Sequence, residues 1–193
     1  MADFPALFAY SLFSYLLGSV PFSYFIAKAR GVPLQRVGSG NVGATNVARS
    51  VGLPYGLLAL ALDAAKGALS AYLAMIWSLP IWLSVFSVAG HNWSIFLHFK
   101  SGKGVATSLG ILLAISWPAL LITLALWGLV AWATRYVSIA SVAALLASPF
   151  CLMLWGTTSP EAIGLMAGLA ALSAFQHREN LQRLLRGEEH KLS

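Results

Sequence analysis

The chain has 193 residues, of which 59% are hydrophobic and only 9% charged. A soluble globular domain carries about 25% charged residues. Composition therefore excludes an ordinary soluble domain and points to a single all-α integral membrane domain over residues 1–193. In such a protein the formal net charge of +6 reports orientation first and an anionic partner second. The basic residues fall in short stretches between apolar runs, which argues against nucleic acid, and the single cysteine, Cys151, excludes an intrachain disulfide.

Asp3 stands where a cleaved leader would be basic, so Phe4–Ala27 reads as a first membrane span. It is long enough to cross an apolar core of about 30 Å. Lys28, Arg30 and Arg36 then lead into Val37–Arg49, V-G-S-G-N-V-G-A-T-N-V-A-R, a polar stretch without an acid. Leu53–Trp77 and Pro80–Phe99 are the next two spans, followed by a second polar corner, Lys100-Ser-Gly-Lys-Gly104. Val105–Ser116 is apolar but rises only about 18 Å, so it either starts earlier, at Lys103, or is partly embedded. Pro118–Thr134, Val137–Trp155 and Pro160–Phe175 complete seven spans. The tail, 176–193, is polar and basic, with Leu181, Leu184 and Leu185 at helical spacing, as in a short helix on the membrane surface.

If all seven cross, Lys28, Arg30, Arg36, Arg49, Lys100, Lys103, Arg135 and the basic tail share one side. The connections at Ser78–Leu79, Trp117 and Gly156–Ser159 have no Lys or Arg. The asymmetry puts the C-terminus and polar loops in the cytoplasm and the N-terminus outside. Trp77, Trp82, Trp117, Trp155 and Tyr136 fall near span ends, as interfacial anchors do.

In the first polar stretch Gly38, Gly40 and Gly43 allow conformations closed to other residues, and their amides can line an anion site. Ser39, Asn41, Thr45 and Asn46 add side-chain donors, and Arg49 adds a phosphate-matching fork. The glycines match G-x-G-x-x-G, with Asp63 20 residues beyond Gly43. Lacking a preceding strand, however, and with Asp63 inside an apolar helix, the stretch is no dinucleotide fingerprint. Gly102-Lys103-Gly104 is not a Walker loop either, because no Ser or Thr follows Lys103. What remains is a phosphate site built from Lys103 and the amides of the helix start through Thr107.

Asp63 and Lys66 lie three apart on one helix face and read as a self-neutralising pair in the membrane. His91 and His98 are seven apart, not the four of a zinc pair, so no metal is expected. His177 and Asn180 share a helix face where the last span leaves the membrane, and His177 is a candidate acid, base or phosphate donor.

Taken together, these residues resemble the bacterial acyl-phosphate:glycerol-3-phosphate acyltransferases, the PlsY family. The matching stretches are L-G-S-V-P-F-S-Y (17–24), the loop 37–49, D-A-A-K-G (63–67), G-H-N-W-S-I-F (90–96), F-K-S-G-K-G-V-A-T (99–107), R-Y-V-S-I-A-S (135–141) and H-R-E-N-L-Q-R-L-L-R-G-E-E (177–189). The resemblance implies seven spans, three cytoplasmic active-site segments and residence in the cell inner membrane. It implies acyl transfer from a fatty acyl-phosphate to glycerol 3-phosphate, giving 1-acylglycerol 3-phosphate and phosphate in phospholipid biosynthesis, without a cofactor or an obligate protein partner. Ser39 and Arg49, with Asn41 close by, fall in the first segment. Gly102, Lys103 and Gly104 fall in the loop for glycerol 3-phosphate, with Ser101 where the family commonly has Gly. His177 and Asn180 fall in the third, where Glu188 is implied to be structural, and Ser141 matches a further polar residue lining the site.

An acyl phosphate is already activated, so the expected chemistry is positioning and charge stabilisation rather than covalent catalysis. The base is His177 or the donor's own phosphate. The reading from another class is a small transporter or flippase for phosphorylated solutes or lipids. That would want a polar path across the bilayer, whereas here the polar groups collect on one side.

Overall fold

The computed structural model describes residues 3–156 and 159–192. Thr157 and Thr158, within the expected Gly156–Ser159 connection, lie outside the described residues. Among the described residues all regular structure is helical and there is no strand, in line with the all-α expectation. Internal contacts divide the chain after Ile111 into two compact units.

The first unit holds α1 (Phe4–Ser19), α2 (Phe22–Ala29), α3 (Ala44–Ser50), α4 (Leu53–Ile76), α5 (Val85–Asn92) and most of α6 (Val105–Ile115). Asp3 caps α1 by accepting the Ala6 amide at 3.1 Å. The expected first span is two helices rather than one. Pro21 supplies no N–H and drives Val20 out of helical geometry, to φ −59° and ψ 114°. The break leaves the Val20 carbonyl off the helical ladder, and the Lys66 ammonium donates to it at 3.1 Å.

The expected third span, Pro80–Phe99, is not a continuous helix. A 3₁₀ turn at Ile81–Ser84 leads into α5, which ends at Asn92, and a second 3₁₀ turn at Ile95–Leu97 runs into left-handed His98 and Phe99. Eight residues of α-helix rise about 12 Å, well short of the apolar core. The fourth expected span begins at Val105 rather than Lys103 and has 11 helical residues. Among the described residues four helical stretches are long and apolar enough to cross a bilayer: Phe4–Ala29, Leu53–Ile76, Trp117–Thr134 and Val137–Leu154. The other three expected crossings rest on shorter elements.

Close backbone approach locks the first unit together. Gly18 and Gly90 let α1 and α5 touch, since a Cβ at either would overlap the Ser87 or Tyr15 carbonyl oxygen. Gly67 and Gly110 do the same for α4 and α6, against Thr107 and Ala64. Membrane helices associate through such contacts because lipid gives them no hydrophobic drive. Tyr10 donates to the Ser70 carbonyl, and the Ser14 and Ser70 hydroxyls pair at 2.7 Å, tying α1 to α4.

The second unit holds α7 (Trp117–Thr134), α8 (Val137–Leu154), α9 (Pro160–Gln176) and α10 (Arg178–Leu185), with α8 packed against α7, α9 and α10. Ser116 and Ser159 cap α7 and α9, each accepting an amide at 3.3 Å. Inside the helices Thr123, Thr134 and Ser148 return their hydroxyls to carbonyls of the preceding turn.

Candidate active site

The first polar loop stands on an apolar floor made of Ala27, Leu34, Val42, Val47, Ala59 and Leu97. Asn46 organises it. This side chain, 2% exposed, donates from Nδ2 to the carbonyls of Leu34, Val37 and Asn41, each at 3.1 Å. Its Oδ1 accepts the Ser39 amide at 3.3 Å. Gly38 has φ +58° and lies so close to Asn46 Oδ1 that a Cβ would overlap it. Asn46, expected as a phosphate donor, is therefore a brace: its donors are spent inside the loop. Of the glycine amides expected to line an anion site, those of Gly40 and Gly43 are used inside the loop. The amides of Ser39, Gly40 and Gly43 go to Asn46 Oδ1, the Val37 carbonyl and the Asn41 carbonyl. What the loop presents instead are side chains: half-buried Ser39 and Asn41, and exposed Thr45 and Arg49.

The second polar loop packs onto α5. Gly102 donates its amide to the His91 carbonyl at 3.1 Å, and its bare Cα lies against His91 Nε2. Gly104 has φ +77° and rests against Val88 and the Asn92 amide oxygen. Lys103, between these two glycines, is half-buried, while Thr107 is fully buried in the first turn of α6. Among the described residues the Thr107 hydroxyl and both polar atoms of Asn92 are buried without a hydrogen-bond partner. Gly102 thus contributes its lack of a side chain rather than an amide.

Beneath this loop the expected Asp63–Lys66 pair is present at 2.9 Å. It has two partners that sequence reasoning missed. Ser23 donates to Asp63 Oδ2 at 2.9 Å, and His91 Nδ1 lies 3.5 Å from Asp63 Oδ1.

In the second unit His177 ends α9 and is 4% exposed. Its Nδ1 is 2.8 Å from the Ser173 carbonyl, which only accepts, so the proton is on Nδ1 and the lone pair of the neutral ring on Nε2. One helical turn on, Asn180 Nδ2 donates to Glu189 Oε1 at 2.6 Å, and Arg183 Nε donates to Oε2 at 3.0 Å. The turn that makes this possible is local. At the end of α10, Gly187 takes φ +73°, its amide reaches the Leu184 carbonyl, and the Glu188 amide reaches that of Arg183 at 2.8 Å. This Schellman turn reverses the chain and brings Glu189 back under Asn180. Further on, the Leu192 amide donates to the Arg135 carbonyl at 2.7 Å. Glu188, the expected structural acid, is exposed, and Glu189 holds that place. Burial works to raise the Glu189 carboxyl, but hydrogen bonding, from Asn180 first, then Ser138 and Arg183, outweighs it and holds the group below the ordinary glutamate value. Ser141, on α8, is buried and accepts from Trp127 Nε1 at 3.2 Å.

These features define an apolar all-helical membrane protein with two ordered loops carrying Arg49 and Lys103, and a separate His177–Asn180 segment. Residues 8–187 match the glycerol-3-phosphate acyltransferase family. A glycerol-3-phosphate acyltransferase of Aquifex aeolicus is 44% identical over 187 residues, covering 93% of this chain and 96% of that protein. One from Synechococcus sp. is 43% identical over 186 residues, covering 94% and 91%. Among solved structures, PlsY (YgiH), an integral membrane glycerol 3-phosphate acyltransferase, matches in its glycerol 3-phosphate form with TM-score 0.90 and 40% identity, covering 97% of this chain and 96% of that one. Its lysophosphatidic acid form matches with TM-score 0.87 and 39% identity, covering 97% and 96%. The chain belongs to the glycerol-3-phosphate acyltransferase family.

Proposed function

We propose that this membrane acyltransferase takes its acyl group from a fatty acyl-phosphate and passes it to glycerol 3-phosphate. Two structures of a relative, the glycerol 3-phosphate form and the lysophosphatidic acid form, support the acceptor and the product. The observation that carries the reading is the way each polar loop is braced from below, by Asn46 or by His91, with a cation beside or within it. A loop needing only to connect helices has no use for a buried brace. A site that must hold phosphates in fixed geometry does.

On this reading Lys103 and the first amides of α6 take the phosphate of glycerol 3-phosphate, with Gly102 and Gly104 shaping the loop. Ser39, Asn41 and Arg49 take the donor's phosphate, and Ser141, His177 and Asn180 complete the machinery. Thr107 is fully buried, so it supports the loop from inside. The acceptor's hydroxyl oxygen attacks the acyl carbon, the bond from that carbon to the phosphate oxygen breaks, and phosphate leaves. The hydroxyl proton passes to the departing phosphate, itself basic enough to accept it. The Nδ1–H bond to Ser173 lets His177 accept at Nε2 as the competing base. Cations stabilise the charge on both oxygens as it forms. The reading carries with it seven crossings in one catalytic domain of the cell inner membrane, with the N-terminus outside and the reacting groups at the cytoplasmic face.

The test is to supply the purified protein with palmitoyl phosphate and glycerol 3-phosphate, without acyl-CoA. Phosphate and 1-acylglycerol 3-phosphate are expected in equal amounts. Product from acyl-CoA alone, or phosphate without lipid product, would refute the donor.

A further inference from the structure

Of the buried group Asp63, Lys66, His91 and Ser23, only His91 entered the reading above, as the brace of the second loop, and none of the four is given a substrate to hold. Asp63 is 1% exposed, Lys66 3% and His91 6%. A simple structural ion pair would end with Asp63 and Lys66 satisfying each other. Here it extends in two directions. Lys66 donates to the Val20 carbonyl, left off the helical ladder by Pro21. Asp63 reaches His91 Nδ1 at 3.5 Å and accepts from Ser23 at 2.9 Å. The opposite edge of the imidazole, Nε2, fills the space where a side chain at 102 would be. The Gly102 amide is in turn fixed to the His91 backbone at 3.1 Å. The ring is thus held between a buried carboxylate and the Cα of the residue that precedes Lys103.

We propose that His91, anchored by Asp63 and Lys66, is a positioning residue for the acceptor: it sets the height of Gly102 and so the place of Lys103. This rests on the reading that the loop at 102–104 binds glycerol 3-phosphate. Shrinking the ring lets the loop sink, and adding a methyl at 102 lifts it. Both changes weaken binding of the acceptor and leave the acyl donor alone. A displacement on the order of 1 Å is enough to cost a large factor.

Initial rates of the full-length enzyme in detergent separate this from a merely structural role, because KM does not depend on how much of a variant is folded. His91→Ala is expected to raise KM for glycerol 3-phosphate about tenfold, while KM for palmitoyl phosphate stays within about twofold. Gly102→Ala is expected to do the same. The double variant is expected to be no worse than the worse single one, because both act at one contact. If His91→Ala cannot be purified, His91→Gln carries the same comparison with a smaller expected rise. An unchanged KM for glycerol 3-phosphate, or a double variant whose effect is the product of the two singles, overturns the proposal. Lys103→Ala runs alongside: if it raises that KM and the His91 variants do not, only the positioning role falls. If it too leaves KM unchanged, the loop assignment falls with it.

Discussion

Removing the Glu189 carboxylate is expected to loosen the third polar segment without touching a substrate. Its side chain is 6% exposed, and it holds Asn180 at 2.6 Å and Arg183 at 3.0 Å. A hydrogen bond to a charged group contributes about 1.5–3 kcal/mol. The Arg183 partner is 33% exposed on its side chain, so solvent screens it and its share is under about 1 kcal/mol. Glu189→Ala should therefore cost about 1.5–4 kcal/mol in this segment, most of it through the lost hydrogen bond from Asn180. The assay pairs thermal denaturation in detergent with turnover on palmitoyl phosphate and glycerol 3-phosphate. Glu189→Ala should lower the midpoint and sharply reduce turnover, and Glu188→Ala, at an exposed position, should change neither. The sign of the pH effect follows from the depressed carboxyl. Its stabilisation is fully present above the ordinary glutamate value of 4.5 and is lost as pH falls through the lower folded value. The difference in midpoint between the parent and Glu189→Gln should hold steady from neutral pH down to the ordinary glutamate value of 4.5 and close as pH falls below it through the lower folded value. Equal effects at Glu188 and Glu189, or a difference that widens in acid, would refute the reasoning.

Lys103→Ala should raise the glycerol 3-phosphate requirement by about tenfold to a hundredfold, the range of one charge-assisted hydrogen bond; steady-state titration of the acceptor checks it. Asn46→Asp should sharply reduce turnover and lower the thermal midpoint, because it takes the Asn46 donor from the Leu34, Val37 and Asn41 carbonyls and sets a carboxylate oxygen against them, at about 1–3 kcal/mol for the buried Leu34 carbonyl alone. Parent-like activity in that variant would end its role as a brace. His177→Ala should keep turnover within about tenfold of the parent at saturating substrates. A loss of about a hundredfold or more with binding intact would make His177 the general base.

The helical class and the positions of the two polar loops were legible because composition and glycine content act locally. The Asp63–Lys66 pair was legible for the same reason, being one turn apart. Its extension to Ser23 and His91 was not, since only the packing of α2, α4 and α5 brings those residues to it. Pro21 divides the helix of the first expected span, which remains long enough to cross, and the third expected span loses its helix after Asn92, because an apolar run reports preference for lipid and not continuity of the helix. Asn46 and Asn41 are the same residue type in the same loop, and it is burial that separates the brace, Asn46, from the half-buried Asn41. Glu188 and Glu189 are adjacent, and the chain reversal at Gly187 decides between them. That glycine, just past a run of helical leucines, was the available signal.

Two-substrate initial-rate kinetics test the central claim most directly, that acyl phosphate and glycerol 3-phosphate are held together and react without a covalent enzyme intermediate. Varying each at several fixed levels of the other should give double-reciprocal lines that intersect. Parallel lines, the mark of an acyl-enzyme formed and released in turn, would contradict it.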